Sequence, residues 1–203
     1  MTKATKSAHA LWRSKESKYR FMSDQQVNKI IPNLSQSPKN IVAESFVEAM
    51  RYAVTPVALV TTAGSAGEFG LTVSAFSSVS AEPPLVLVCI KRSNQIEAAI
   101  RANGVFCVNL LSREQSGLAD AFAGRSKVIA PYDFNAAQWK LGITGARLLI
   151  DATASFECEM YNAVEAGTHS ILMGRVIGLA MSEHSPLAYQ DRGYRVVNPI
   201  DLA

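Results

Sequence analysis

The sequence predicts a mainly β domain with a few short helices, its strands paired antiparallel and closed into a barrel. Three observations lead there. Strand-like runs come in pairs separated by turn residues, the helical stretches are few and short, and no regular β-α-β alternation points to a parallel sheet. The 203 residues suffice for one buried core, and a composition of 48% hydrophobic and 18% charged residues excludes a disordered chain.

Residues 1–37 are polar and irregular and end in Ser35-Gln36-Ser37 before Pro38. They read as an N-terminal extension, partly disordered or draped on a partner subunit, with the domain proper over 38–203. Ser37 is a candidate N-cap and Pro38 a first helical residue; Val42, Phe46, Ala49, Met50 and Ala53 then share one helical face. Val57 to Thr62 is a β-branched run. The turn residues Ala63 to Gly67 and a return strand over Gly70 to Ser74 complete a hairpin.

Leu85 to Ile90 is almost wholly apolar, as in a strand buried on both faces. Ser93 or Asn94 opens a helix carrying Ile96, Ala99 and Ile100, which stops at Asn103-Gly104. Val105 to Leu110 is a further buried strand. Ser112 and Gln115 form a capping-box pair for a short helix ending at Phe122, and 124–147 is a long loop with small elements. From Thr153 to Ala163 the chain alternates. Ala154, Phe156, Cys158 and Met160 point one way, and Ser155, Glu157, Glu159 and Tyr161 the other, the pattern of a half-buried strand. Gly167 turns it and Ser170 to Ala180 returns.

The net charge is only +3, and much of the positive charge lies in the N-terminal arm, where Lys3, Lys6, Arg13, Lys15, Lys18 and Arg20 face only Glu16 and Asp24. Such an arm is read as a solvated tail, with no nucleic-acid and no membrane partner expected. No apolar run reaches the ~18 residues of a membrane span, and no apolar stretch follows the basic N-terminus as in a secretory signal. Cys89, Cys107 and Cys158 lie in apolar runs without metal-ligand spacing, so reduced thiols and no metal are expected. Together these point to a cytoplasmic protein.

Two segments have chemical promise. Gly70 to Ser80 contains five hydroxyl side chains (Thr72, Ser74, Ser77, Ser78 and Ser80) and no charge. Hydroxyls and backbone N–H groups at a strand end suit the polar, uncharged edge of a heteroaromatic ring, such as the pyrimidine edge of a flavin. The same hydroxyls also serve to satisfy the backbone of their own loop. Lys91-Arg92-Ser93-Asn94 stands at a strand-to-helix junction, where free N–H groups and the helix dipole favour an anion. It lacks the glycines of a P-loop, and a solvated pair of cations beside an N-cap is the alternative.

The ordered set GLTVSAFSSVSAEPPLVLVCI, FCVNLLS, FAG at Phe122 to Gly124, AGTHSILMGRV and PLAYQDRGY resembles the short-chain flavin reductase family over roughly residues 42–197. These are the reductase components of two-component flavin-dependent monooxygenases. The resemblance implies a flavin reductase-like, FMN-binding split β-barrel that works as a homodimer. Such a protein takes hydride from NADH or NADPH, reduces FMN or FAD, and supplies the flavin by diffusion to a separate monooxygenase.

By the same resemblance Thr72, Val73 and Ser74 line the isoalloxazine, with Ser78 and Ser80 nearby, and Lys91, Arg92 and Ser93 meet the phosphate. Asn109 and the stretch Phe122, Ala123, Gly124 and Arg125 border the ribityl or adenine side. His169 sits where nicotinamide stacks, as the catalytic candidate, with Tyr194 close by. Many relatives carry Asp where this chain has Thr168, and Asp191-Arg192-Gly193-Tyr194 reorders the glycine and basic residues of some relatives. A tightly bound FMN electron-transfer protein and a non-catalytic flavin-binding module are the competing roles. With no G-x-G-x-x-G run, no Rossmann site is expected for the nicotinamide nucleotide.

Overall fold

The computed structural model describes residues 42–200. The expected cap at Ser37 and Pro38 and the 1–37 extension lie outside those residues. The chain divides between Phe46 and Val47, inside helix α1 (Ala43–Met50), and every strand and later helix belongs to the unit that begins at Val47. None of the α1 residues is buried; the apolar side chains Val47 and Met50 are exposed.

That unit has twelve strands among the described residues. Seven of them form one antiparallel sheet: β2 (Ala58–Thr62), β3 (Phe69–Val73), β4 (Phe76–Ala81), β5 (Pro84–Lys91), β6 (Val105–Leu110), β9 (Ala154–Ala166) and β10 (His169–Met181). Their order across the sheet is β3-β2-β6-β9-β10-β5-β4. A three-stranded sheet joins β1 (Thr55–Pro56), β11 (Leu187–Gln190) and β12 (Gly193–Val196). The long loop folds into a small hairpin of β7 (Trp139–Leu141) and β8 (Arg147–Leu149). The helices are α2 (Gln95–Asn103) and α3 (Ser116–Phe122).

The two outermost strands of the large sheet, β3 and β4, are consecutive in the chain and joined only by Ser74 and Ala75. Laid flat, seven strands would hold their edges roughly 29 Å apart. The chain from Val73 to Phe76 reaches at most about 11 Å. The sheet therefore curls until its edges meet. It does not close as the sequence suggested: no ladder joins β3 to β4. The Ala75 carbonyl instead accepts the Cys89 N–H at 3.0 Å, so the link extends the β4–β5 pairing and leaves an unpaired seam beside β3.

The curled sheet sorts side chains into two cores. Ala58, Val60, Val88, Ile90, Phe106, Val108, Cys158 and Leu172 fill the first, into which α2 inserts Ile96 and Ile100. Val57, Leu59, Leu111, Leu118, Phe122, Leu149 and Leu187 make the second, on the other face. The period-2 alternation of β2 thus feeds both clusters, and all five of its residues are buried. Its two buried hydroxyls are spent on carbonyls: Thr61 donates to Arg147 O at 2.6 Å and Thr62 to Val105 O at 2.7 Å.

The local signals hold where they rest on short-range chemistry. The Asn94 side chain caps α2 by accepting the Ile96 N–H at 3.2 Å, and Gly104, at φ 71°, ends it. The Gln115 side chain accepts the Ser112 N–H at 3.0 Å ahead of α3. Gly174 on β10 is required by packing, since a Cβ there would stand 2.5 Å from the Phe106 ring and 2.6 Å from Cys158 Cβ. The half-buried reading of β9 needs correction in its first half. Ser155 and Glu157, expected to face solvent, are buried under the β7–β8 hairpin, where Glu157 accepts the Thr144 N–H at 3.2 Å. Cys107 and Cys158 are buried free thiols, and burial pushes Cys158 up to about 12.

Asn109 on β6 is fully buried and bolts four segments together. Its Nδ2 donates to Leu59 O (3.1 Å) and Arg147 O (3.3 Å), and its Oδ1 accepts from Leu149 N–H (2.9 Å) and Ser155 Oγ–H (2.8 Å). Removing it leaves buried donors and acceptors unpaired. Asn109→Ala should therefore lower the free energy of unfolding by about 3 kcal/mol in urea denaturation. A loss under about 1 kcal/mol would show that these groups find other partners.

Candidate flavin site at the sheet seam

The unpaired seam opens as a pocket of about 140 Å³ lined by Val57, Thr72, Val73, Ser74, Ala123, Arg125, Tyr189 and Tyr194. Each wall has a local cause. Thr72 Oγ donates to Ala119 O at 2.8 Å, fastening the end of β3 to α3. Gly70 lets α3 approach, because a Cβ there would lie 2.6 Å from the Phe122 ring. After α3 the chain turns at Gly124, φ 68°, and the Arg125 N–H donates back to Asp120 O at 2.8 Å. That turn brings the Arg125 side chain over the pocket.

On the opposite wall the β11–β12 hairpin pairs Tyr189 with Tyr194, their rings edge to face at 5.8 Å. The Tyr194 hydroxyl donates to Asp120 Oδ1 at 2.8 Å and accepts from Arg125 at 3.2 Å. The same guanidinium reaches Asp120 at 3.2 Å and lies 6.0 Å above the Tyr189 ring. Burial, reinforced by the bond to the Asp120 carboxylate, pushes the Tyr194 phenol up to about 12. The pocket wall is thus an uncharged, anchored phenol beside a permanent cation.

A second group of predicted residues gathers at the end of β5. Lys91 lies opposite His169 in the β5–β10 register, and the Arg92 N–H donates to Thr168 O at 3.0 Å. The Thr168 hydroxyl meets His169 Nδ1 at 2.9 Å. Lys91, Arg92, Ser93 and His169 are all exposed, at the N-terminal end of α2. Cys89, tied to the seam through Ala75, stands two residues before Lys91, roughly 7 Å along the strand. The pocket and the cationic loop therefore share one rim of the sheet.

Thr72, Val73, Ser74, Ala123, Arg125 and Tyr194 thus come together, while Lys91, Arg92, Ser93 and His169 form a neighbouring cluster that does not line the pocket. Five other expected contacts do not line it, and of these Gly124 supplies only the turn between Ala123 and Arg125. Ser78 and Ser80 run the other way along β4, and Ser80 spends its hydroxyl on Glu82 O at 3.1 Å. Asn109 is the buried bolt between strands and reaches no pocket. Phe122 is fully buried under the pocket, edge to face with Phe134 at 5.1 Å and Trp139 at 6.0 Å.

Val57, Asp120 and Tyr189 were not foreseen. Tyr189 had a readable signal: a two-residue turn at Asp191-Arg192 places it opposite Tyr194. Asp120 had none, since its role depends on the turn at Gly124. A larger cavity of about 360 Å³ lies elsewhere, between the β7–β8 hairpin and β9–β10, with Glu157 in its wall. It holds none of the expected residues. Among the described residues no cluster of His, Cys, Asp or Glu is placed to hold a metal ion, and no helix is long and apolar enough to cross a membrane.

Residues 50–198 match the flavin reductase like domain. The chain belongs to that family. Among curated flavin reductase relatives, an FMN reductase (NADH) RutF from Stutzerimonas stutzeri is 37% identical over 161 residues, 79% of this chain and 91% of its own. The NADH:FAD oxidoreductase SgcE6 of Streptomyces globisporus superposes with a TM-score of 0.70 at 29% identity, covering 80% of this chain and 96% of that one. BorF, the flavin reductase component of a bacterial two-component tryptophan halogenase, also has a TM-score of 0.70 at 29% identity, over 78% of this chain and all of its own.

Tyr194 also links stability to pH. The folded phenol keeps its proton to about pH 12, whereas the unfolded one loses it near 10. The stabilisation from this group is therefore complete below about pH 10 and is lost as pH rises from about 10 to about 12. Denaturant midpoints measured at pH 8 and 11 should fall more steeply in the wild type than in Tyr194→Phe. Equal falls would mean that neither burial nor Asp120 raises the pKa of the phenol.

Proposed function

We propose that this protein is an NADH-dependent flavin reductase that reduces FMN and passes the reduced flavin to a separate flavin-dependent monooxygenase. The observation that carries this reading is the seam: in a chain of this family, one rim brings Thr72, Val73, Ser74, Arg125 and Tyr194 together, beside the Lys91-Arg92-Ser93 loop. FAD as the flavin and NADPH as the donor are the variants that the relatives and the residues leave open.

The donor set fits a flavin. The pocket admits one edge of a ring system rather than a whole nucleotide, so the rest of the molecule would lie along the rim. Backbone groups and the Ser74 hydroxyl would meet the polar ring edge, with the Thr72 oxygen able only to accept because its proton goes to Ala119 O, and Val73 would meet the apolar face. Lys91, Arg92 and Ser93, at the start of α2, would hold the phosphate through charge and the helix terminus. Ala123, Gly124 and Arg125 would border the sugar side. A bound flavin supplies the two-electron hydride chemistry. The protein's own part is orientation. Tyr194, fixed by Asp120, would shape the pocket wall, and His169 would position nicotinamide without transferring an obligatory proton.

In this reading the fold is a split barrel, supported by the curled, unclosed sheet and its two-residue link. The working unit is a homodimer, supported by the apolar side chains Leu179 and Met181, which a single chain leaves exposed. The domain is taken as 38–203, with the preceding residues as an extension.

The test is NADH oxidation at 340 nm with FMN or riboflavin. Wild-type protein should oxidise NADH only when flavin is added. Arg92→Ala should weaken FMN by roughly tenfold or more and riboflavin, which has no phosphate, hardly at all, as for a charge-assisted contact of about 1.5–3 kcal/mol. His169→Ala should raise the KM for NADH more than it weakens FMN. No flavin-dependent NADH oxidation would refute the function, and equal weakening of both flavins by Arg92→Ala would refute the phosphate assignment.

A further inference from the structure

Arg92 is already engaged. Its guanidinium stands 3.1 Å from the carboxylate of Glu165, near the end of β9 in the hairpin that carries His169. The cationic loop is thus tied to this hairpin by the ion pair as well as through the main chain, where Lys91 lies in register with His169 and the Arg92 N–H donates to Thr168 O. The main-chain bond fixes the loop's position whatever the side chains do. The ion pair is separable from it, because both side chains are about half exposed, 49% for Arg92 and 62% for Glu165.

The other acid nearby, Glu97, feels the Arg92 charge but makes no ion pair with it. Glu97, in the first turn of α2, is nearly buried and its carboxylate accepts from Arg101 Nε at 2.7 Å. Burial alone would raise its pKa, but hydrogen bonds from Ser170 and Arg101 hold it below the ordinary value. Glu97 is therefore committed to its own partners, and Glu165 is the carboxylate that meets Arg92.

We propose that Glu165 sets how tightly this protein holds a flavin phosphate, by occupying the Arg92 guanidinium until a phosphate displaces it. The proposal rests on the reading of Lys91, Arg92 and Ser93 as the phosphate cradle. A phosphate carries more charge than a carboxylate and offers more acceptor oxygens, so it wins the exchange, but its net gain is reduced by the pair it breaks. A flavin without a phosphate breaks nothing. The device suits a protein that must release its reduced flavin rather than store it.

The experiment measures dissociation constants for FMN and riboflavin by flavin fluorescence quenching, at one fixed low ionic strength. The full chain is compared with Glu165→Gln, Arg92→Ala and the double variant. Glu165→Gln should tighten FMN roughly two- to fivefold, the range open to an exposed ion pair, and leave riboflavin unchanged. In the Arg92→Ala background it should do nothing. If Arg92→Ala weakens FMN selectively while Glu165→Gln changes nothing, the cradle stands and the role of Glu165 falls. The same tightening without Arg92, or an equal shift for riboflavin, also overturns it, because the acid would then act as a diffuse charge or by reshaping the turn. If Arg92→Ala does not distinguish FMN from riboflavin, the cradle itself is wrong and this proposal goes with it.

Discussion

The rest of the structure depends on a two-residue constraint. Ser74 and Ala75 alone connect the outermost strands of a seven-stranded sheet, so the sheet must wrap round until those strands adjoin. Wrapping gives β2 and its neighbours a core on each face, which accounts for strands with almost no exposed residue. It also leaves one place where the backbone is not paired across. Because Ala75 bonds to Cys89 and not to β3, the closure has a slot, and that slot is where the Thr72–Ser74 hydroxyls, Arg125 and the two tyrosines converge. An open edge costs little here because α3 and the β11–β12 hairpin flank it.

Much of this was legible locally. The Asn94 and Gly104 caps of α2, the Ser112–Gln115 pair and the β2–β3 hairpin each follow from residues within a few positions of one another. What the sequence could not disclose were contacts distant along the chain. The outer face of β9 carries Ser155 and Glu157, which read as solvent-facing until the β7–β8 hairpin covers them, Thr144 reaching Glu157 across 13 residues. Asn109 is a ligand contact only by family resemblance, and its four bonds reach segments about 40 to 50 residues away. Closure versus an open seam is likewise a matter of which distant edges pair, on which periodicity is silent. In the site, hydroxyl-rich Gly70 to Ser80 was one segment on paper but splits at Ala75, so that Ser78 and Ser80 leave the pocket.

Electrostatics at the rim share a pattern. Arg92 faces Glu165, and Arg125 faces Asp120. Exposed pairs of this kind add little stability, on the order of 0–1 kcal/mol. Each pair keeps its guanidinium oriented at the rim. Tyr194 beside Arg125 stays protonated and neutral across the physiological range, its one proton held by Asp120. The site is thus orienting rather than gripping, as befits chemistry carried by cofactors that come and go.

In the proposed reading the flavin ring lies in the seam beside Ser74. Crystals of the protein soaked with FMN test it most directly. Isoalloxazine density is expected against Thr72, Val73 and Ser74, with the phosphate at Lys91, Arg92 and Ser93. Flavin density in the larger cavity between the β7–β8 hairpin and β9–β10, with the seam left empty, would contradict it.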